Sequence, residues 1–345
     1  MTSLETYLAK FSGSEWLAAV ESLLPRIHEV DRNAVQIWFR FYPIDLHRFV
    51  DAAEDRDATL HGFAMQGDFE LKDQIDTSHH FLYGHRYWKT VKAAIDAETA
   101  VFTDQTPTLE EEIKAIAMLV AEKLSVERQM LNAIVAVGLA TLNQVGAEAF
   151  KAAKGEVAKP TGIMAKSPNA VIAQRAKDAS QGIFGFLKTI NKKFSVHYDN
   201  GRVEGDFEIM NDQEIAGASA NDRSQNWHEQ DERCWEGVVP VECTSAACGT
   251  CWVGVLGGED KLSPVTPREI RSMKVFGYNM PEGERPFLRL ACQAKAFGNS
   301  TIVIPPWNAV FGKKVYGNVE DLELYPATTS AKVLRETIAT AVKGE

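Results

Sequence analysis

The chain is expected to be a multidomain protein of α and α+β class, and three observations carry that reading. Within residues 1–154 apolar residues recur at spacings of three and four around Ser14–Leu24, Ile113–Leu124 and Leu131–Val145, the period of helices that bury one face. A Pro- and Lys-bearing stretch then interrupts the pattern. Beyond it, a loop of small residues holds closely spaced cysteines, and the α+β part is assigned to the residues around that loop.

The helical elements follow in order. Ser14 to Leu24 keeps the three-and-four spacing, and Trp38-Phe-Arg-Phe-Tyr-Pro43 reads as a core segment stopped by its proline. Thr108 and Glu111 form a capping box before a face of Ile113, Ile116, Val120 and Leu124. Ser125 is expected to start the next helix, whose stripe runs Leu131, Ile134, Gly138, Leu142 and Val145. Its apolar run Ala133–Leu142 is too short to span a bilayer, so it is read as core. Together these give an antiparallel helical domain over 1–154.

One motif in this half invites a stronger reading. In Asp76-Thr-Ser-His79-His80-Phe-Leu-Tyr-Gly-His85-Arg-Tyr-Trp88, three histidines could ligate a haem or metal as a second redox centre. Separations of five and six residues rotate about 140° and 240° around a helix axis, so on one helix His85 shares no face with His79 or His80. Core roles are therefore expected, unless a loop at Gly84 changes the geometry.

Residues 155–192 read as a linker. Pro160, Gly162 and Pro168 break regular structure, and lysines make the stretch basic, while the apolar Ile183–Ile190 is expected to dock on one of the domains. Residues 316–345 form a tail, with an amphipathic helix expected over Thr328–Val342.

The chemistry concentrates in Cys243-Thr-Ser-Ala-Ala-Cys248-Gly-Thr-Cys251, with Cys292 far downstream. C-x4-C-x2-C with a distant fourth cysteine is the ligand spacing of a plant-type 2Fe-2S cluster. Two ferric ions, two sulfides and four thiolates sum to a dianion, and burying it is costly. The loop must wrap the cluster closely and aim backbone N–H groups at its sulfurs, which the small residues between the cysteines permit. A zinc site would use the same thiolates, but structural zinc motifs usually show two short C-x2-C pairs and here there is one. Disulfides fit less well: Met1-Thr-Ser-Leu-Glu-Thr-Tyr7 is no signal sequence, and five cysteines leave one over. The odd one, Cys234, is read as a small buried apolar residue.

Residues 194–314 resemble the 2Fe-2S ferredoxin domain. The resemblance rests on a first strand like Phe194–Tyr198, a helix before the loop, the loop itself, and a last strand like Ser300–Ile304. Pro264 to Gly312 is similar, more particularly, to the ferredoxin domains fused to flavin reductases, including that of sodium-translocating NADH:quinone oxidoreductase. They share a Thr-x-Arg-Glu helix, an Arg-Leu-Ala-Cys-Gln run and an Ile-Pro segment ending near Phe-Gly. The resemblance implies a β-grasp ferredoxin-like domain over 193–315, with Cys243, Cys248, Cys251 and Cys292 as cluster ligands. Two departures bear on the loop: Ala246 stands where the family often has Gly, and no Arg follows the first ligand.

Composition narrows the function. A net charge of −10 argues against nucleic acid. No G-x-G-x-x-G after a strand and no Walker loop is found, so a flavin- or NAD-binding half is not expected. The expectation is a cytoplasmic one-electron carrier or complex subunit, without a transmembrane segment, exchanging electrons with a separate flavoprotein reductase or redox acceptor. The helical half would serve docking or oligomerisation. Eleven carboxylates between Glu204 and Glu242, against Arg202, Arg223 and Arg233, would steer it to basic partners. The alternatives are an oxidoreductase with a second cofactor at His79, His80 and His85, or an iron-sulfur redox sensor.

Overall fold

The computed structural model describes residues 1–63, 66–67, 69–103, 108–176, 192–278, 285–308 and 315. The expected docking segment Ile183–Ile190 and the tail helix Thr328–Val342 lie outside them. The chain divides into two compact units, Met1–Glu54 with Glu70–Gln174, and Asp55–Phe69 with Arg175–Glu345. Residues 155–174, read from sequence as linker, thus fall in the helical unit, and residues 55–69 fall in the second.

In the helical unit, α1 (Ser3–Leu8) and α2 (Gly13–Leu23) each begin with a capping box, Thr2 with Glu5 and Ser12 with Glu15. They are followed by α3 (Glu29–Phe41) and α4 (Ile44–Asp51), split at Tyr42-Pro43, where proline removes an amide donor. Trp38, Phe39, Phe41 and Tyr42 are all buried, so the aromatic cluster is core, as expected. Next come α5 (Trp88–Val101), α6 (Leu109–Leu124), α7 (Asn132–Val145) and α8 (Ala147–Ala152).

Thr108 caps α6, its hydroxyl accepting from the Glu111 N–H at 3.2 Å. Ser125 does not start a helix: it ends α6 in the left-handed region at φ 54°. A 3-10 turn over Arg128–Met130 intervenes before α7. Nor is α7 buried on one stripe only, since Asn132 to Leu142 are buried without a break. Small residues make that tolerable. At Gly138 an added Cβ would lie 2.6 Å from Ile95 and 3.1 Å from Trp88, so the missing side chain is what lets α5 cross α7 closely. No helix among the described residues is long and apolar enough to cross a membrane.

Residues 155–174 are held to this unit by backbone contacts. The Gly155 N–H donates to Asp76 at 3.0 Å, Tyr83 donates to the Lys166 carbonyl at 3.2 Å, and Arg86 reaches the Met164 carbonyl. Val171 closes a small core with Val30, Tyr83 and Met130.

The second unit is built on a five-stranded mixed sheet: β1 (Lys193–Asp199), β2 (Glu204–Met210), β3 (Trp252–Gly257), β4 (Leu288–Leu290) and β5 (Ser300–Val303). Its order is β2-β1-β5-β3-β4, with β1 and β5 parallel and the other neighbours antiparallel. The strands expected at 194–198 and 300–304 are therefore β1 and β5. The central strand β3 is buried throughout, whereas the edge strand β2 alternates, hiding Phe207 and Ile209 and exposing Glu204, Asp206 and Glu208. Gln66–Gly67 pairs antiparallel with Trp307–Asn308, and the Phe69 and Trp307 rings meet edge-on at 5.5 Å, which is why 55–69 belongs to this unit.

His197 on β1 stands opposite Asp206 on β2, with Nδ1 3.3 Å from the carboxylate. The hydrogen bond to Asp206 raises the His197 pKa above its usual value, aided by the charges of Asp206, Glu204 and Asp199 and opposed by burial. A histidine raised in the folded state stabilises it fully below its unfolded pKa, about 6.5, and the contribution is lost as pH rises through the folded value. The stability difference between the parent and Asp206→Asn should therefore be larger at pH 6 than at pH 9, checked by urea denaturation at both. An equal difference would show that the pair is idle.

Candidate metal centre

After the short helix α9 (Ile215–Ser219), the cysteine loop runs from Cys243 into β3 and lies against α10 (Pro267–Phe276), the helix of the Thr-x-Arg-Glu motif. Thr266 caps α10, accepting from the Glu269 N–H at 3.1 Å, and Pro267 takes the first helical position, where a missing amide costs nothing. The cap turns Glu269 inward to a fully buried site. There it takes a two-pronged ion pair from Arg289 at 2.8 and 3.0 Å, and the Leu290 N–H at 2.8 Å. The Arg-Leu-Ala-Cys-Gln run is thereby fixed to α10, and the Arg289 guanidinium also donates to the Ser263 carbonyl at 2.9 Å.

The same helix shapes the loop. Ser272 donates to the Ala246 carbonyl, and Arg268 donates to that of Ser245 at 3.4 Å. An arginine thus does reach the loop, from α10 rather than from the position after Cys243. Phe276 lies beneath Gly249, where an added Cβ would come within 2.6 Å of its ring, and Gly249 has φ 68°. From the other side, Gln293 donates to the carbonyls of Thr244 and Cys292 at 3.1 and 3.0 Å, and its amide nitrogen lies 3.6 Å from the Cys292 sulfur. The Ala291 N–H donates to the Cys251 carbonyl at 2.9 Å, joining the fourth cysteine's segment to the third's.

The four sequence-predicted cysteines lie near enough to shift one another's ionisation, chiefly within two pairs. Cys248 donates to Cys243, and Cys251 donates to Cys292, while charge also couples Cys248 with Cys251 and Cys243 with Cys292. The bond from Cys248, with amides of Ser245 and Ala247, draws the Cys243 thiol down to about 4 against the opposing effect of burial. Its partner Cys248 is pushed up by that same bond and by burial. In the second pair, the bond from Cys251 lowers Cys292, aided by Gln293 and the Ala246 amide, and Cys251 rises. Backbone N–H groups of Ser245, Ala246, Ala247, Thr250 and Cys292 thus point at sulfurs, the arrangement that stabilises thiolates. Among the described residues, no three or more His, Cys, Asp or Glu side chains gather as the ligands of one metal ion.

Ala246 adopts φ 61°, which a side chain tolerates poorly. In that conformation its amide is one of the groups that lower the Cys292 pKa. Ala246→Gly should raise the stability of the second unit by about 0.5–1 kcal/mol, read from the midpoint of guanidinium unfolding. A loss of stability would mean that the methyl group, which is buried, contributes more by packing than it costs.

Cys234 is not on a helix. The helix before the loop is only Trp227–Gln230, and Cys234 follows it in a turn, buried, its sulfur 3.2 Å from the Val238 carbonyl. Burial, with the nearby Asp231 charge, pushes its pKa up to about 12, so it stays a thiol, as the sequence suggested.

The histidines are a partial surprise. The segment is a run of turns followed by a 3-10 helix at Tyr83–Tyr87, not one helix, and the His79 and His85 rings stand 4.9 Å apart. His79 is fully buried against Trp88 at 4.1 Å, and burial, then the charges of His85 and His80, hold its pKa well below the usual value. It is a neutral core residue, one ring nitrogen facing the Ser78 hydroxyl at 3.3 Å.

Glu269, Ser272, Phe276 and Gln293 were not singled out as individual site residues by sequence. Only Glu269 and Gln293 had a signal, as members of the two shared motifs. Comparison with known proteins adds nothing to this description: no family model, curated protein or solved structure matches the chain. Fold and site define the class only as a helical unit joined to a mixed-sheet unit that carries a four-thiol constellation.

Proposed function

We propose that the chain is a one-electron carrier in which Cys243, Cys248, Cys251 and Cys292 hold a 2Fe-2S cluster. The observation that carries this is the C-x4-C-x2-C spacing with Cys292 tied to the loop, the neighbouring Ala291 N–H donating to the Cys251 carbonyl at 2.9 Å, and the thiols influence one another mainly as Cys243 with Cys248 and Cys251 with Cys292. A dinuclear centre takes two thiolates on each metal, whereas a four-cysteine zinc site would draw all four thiols round one ion. The residues present fit the group in two further ways. Backbone N–H groups already face the sulfurs, offsetting buried negative charge, and the Gly249 position leaves no side chain between loop and helix.

The strand order β2-β1-β5-β3-β4, with its parallel central pair, supports a β-grasp domain of ferredoxin type. When bound, the cluster supplies reversible one-electron oxidation and reduction. The chain's own residues do the rest: α10 and Gln293 fix the loop, the amides stabilise thiolate charge, and Trp252, next to Cys251, is buried with its ring edge-on to Phe276 and Tyr278. The electron partner is a separate flavoprotein reductase or redox acceptor, and the helical unit is the docking or oligomerisation module.

Iron and acid-labile sulfide analysis with an optical spectrum tests the reading. Two irons, two sulfides and a visible charge-transfer spectrum per chain are expected, with a potential near −400 mV, roughly that of plant-type ferredoxins. A protein that binds zinc alone would overturn it.

A further inference from the structure

The edge strand β2 has no strand paired to its outer side among the described residues. Beside it runs an open groove of about 430 Å³, lined by the apolar Phe207, Met210 and Ala218 and by Asp206, Glu208 and Asp222, with Lys193 and Arg223 as its cations. The exposed side chains of β2 are Glu204, Asp206 and Glu208, at alternate positions and so on one face. On that face β1 already sets positive or protonatable groups against them: Lys193 lies 2.7 Å from Glu208, and His197 pairs with Asp206.

We propose that the outer edge of β2 is a docking site for an extended basic segment of a partner protein, added as a sixth strand. Main-chain hydrogen bonds along a free sheet edge supply affinity, and alternate side-chain positions supply specificity. An incoming strand with Lys or Arg at alternate positions would extend the row of opposite charges that β1 begins, while its intervening apolar residues would face the Phe207 side of the sheet, opposite to Met210 and the carboxylates. A second copy of the chain is disfavoured at this edge. Antiparallel pairing of two β2 strands would set Glu204, Asp206 and Glu208 against the same three residues, and like charges directly opposite are destabilising. The edge therefore rejects itself and selects a basic strand. The inference does not depend on what the cysteines hold.

The test uses the full chain, labelled with nitrogen-15 and titrated with a short peptide of alternating lysine and valine. The amides of Glu204 to Met210 should shift and exchange more slowly with solvent on binding. Glu208→Lys, at a side chain 72% exposed, should weaken binding by roughly threefold to tenfold. Asp206→Asn should weaken it less, and both variants keep their fold, as circular dichroism would verify. Four results would overturn the proposal: shifts centred elsewhere; equal affinity for a peptide of the same composition with its lysines in one block; protection of these amides before any peptide is added, meaning that the chain itself covers the edge; or concentration-dependent pairing of two copies through them.

Discussion

Glu269→Ala should destabilise the second unit by about 3–5 kcal/mol, one of the two largest effects expected of a single substitution in this chain. Glu269 is fully buried and Arg289 is 2% exposed, so removing the carboxylate leaves a guanidinium in the interior without its counter-charge. The Leu290 N–H loses its acceptor as well. The consequence reaches the cysteines, because Leu290 is two residues from Cys292 and α10 carries Ser272 and Arg268 to the loop. Replacing both partners together, Glu269→Leu with Arg289→Met, should cost markedly less than the single change, since neither charge is then buried alone. Chemical denaturation of the three variants decides it. A single variant within about 1 kcal/mol of the parent would mean that water reaches Arg289 and that the pair does not anchor the ligand run.

Cys248→Ser should abolish iron binding, whereas Cys234→Ser should leave it intact. In the first, a soft thiolate that pairs with Cys243 becomes a hydroxyl that ionises far less readily. With the proposed cluster as the centre on which the loop folds, its loss should loosen the surrounding domain too. In the second, a buried thiol facing the Val238 carbonyl becomes a hydroxyl facing the same acceptor. Its cost should be about 1–3 kcal/mol at most, without loss of iron. Iron retained in Cys248→Ser, or lost in Cys234→Ser but not in Cys292→Ser, would break the ligand assignment.

The cysteine loop could be read from sequence because its pattern is local. The spacing from Cys243 to Cys251 and the smallness of the residues between them express a backbone that must close on its sulfurs, and neighbouring residues can encode that. The role of Glu269 was not legible, because its partner lies 20 residues on and a buried ion pair leaves no periodic trace. In the helical unit, core aromatics and the Thr108 cap could be read from local pattern, while Ser125 could not. A serine suits a helix start, but here the preceding helix ends on it in a left-handed turn whose N–H donates back to the carbonyls of Ala121 and Glu122. The same limit applied to His79 and His85: periodicity assumes one helix, and the turns before Tyr83 bring the rings together regardless. Residues 55–69 joined the second unit through a strand pairing with 307–308, a separation of about 240 positions that no local signal spans.

The central claim is best tested by reductive titration of the purified chain followed by electron paramagnetic resonance. The protein should be silent when oxidised, because two coupled ferric ions cancel, and should show one unpaired spin per chain after uptake of a single electron at roughly −400 mV, the plant-type range. A chain that takes up no electron and shows no signal at any potential, with zinc as its metal, would contradict it.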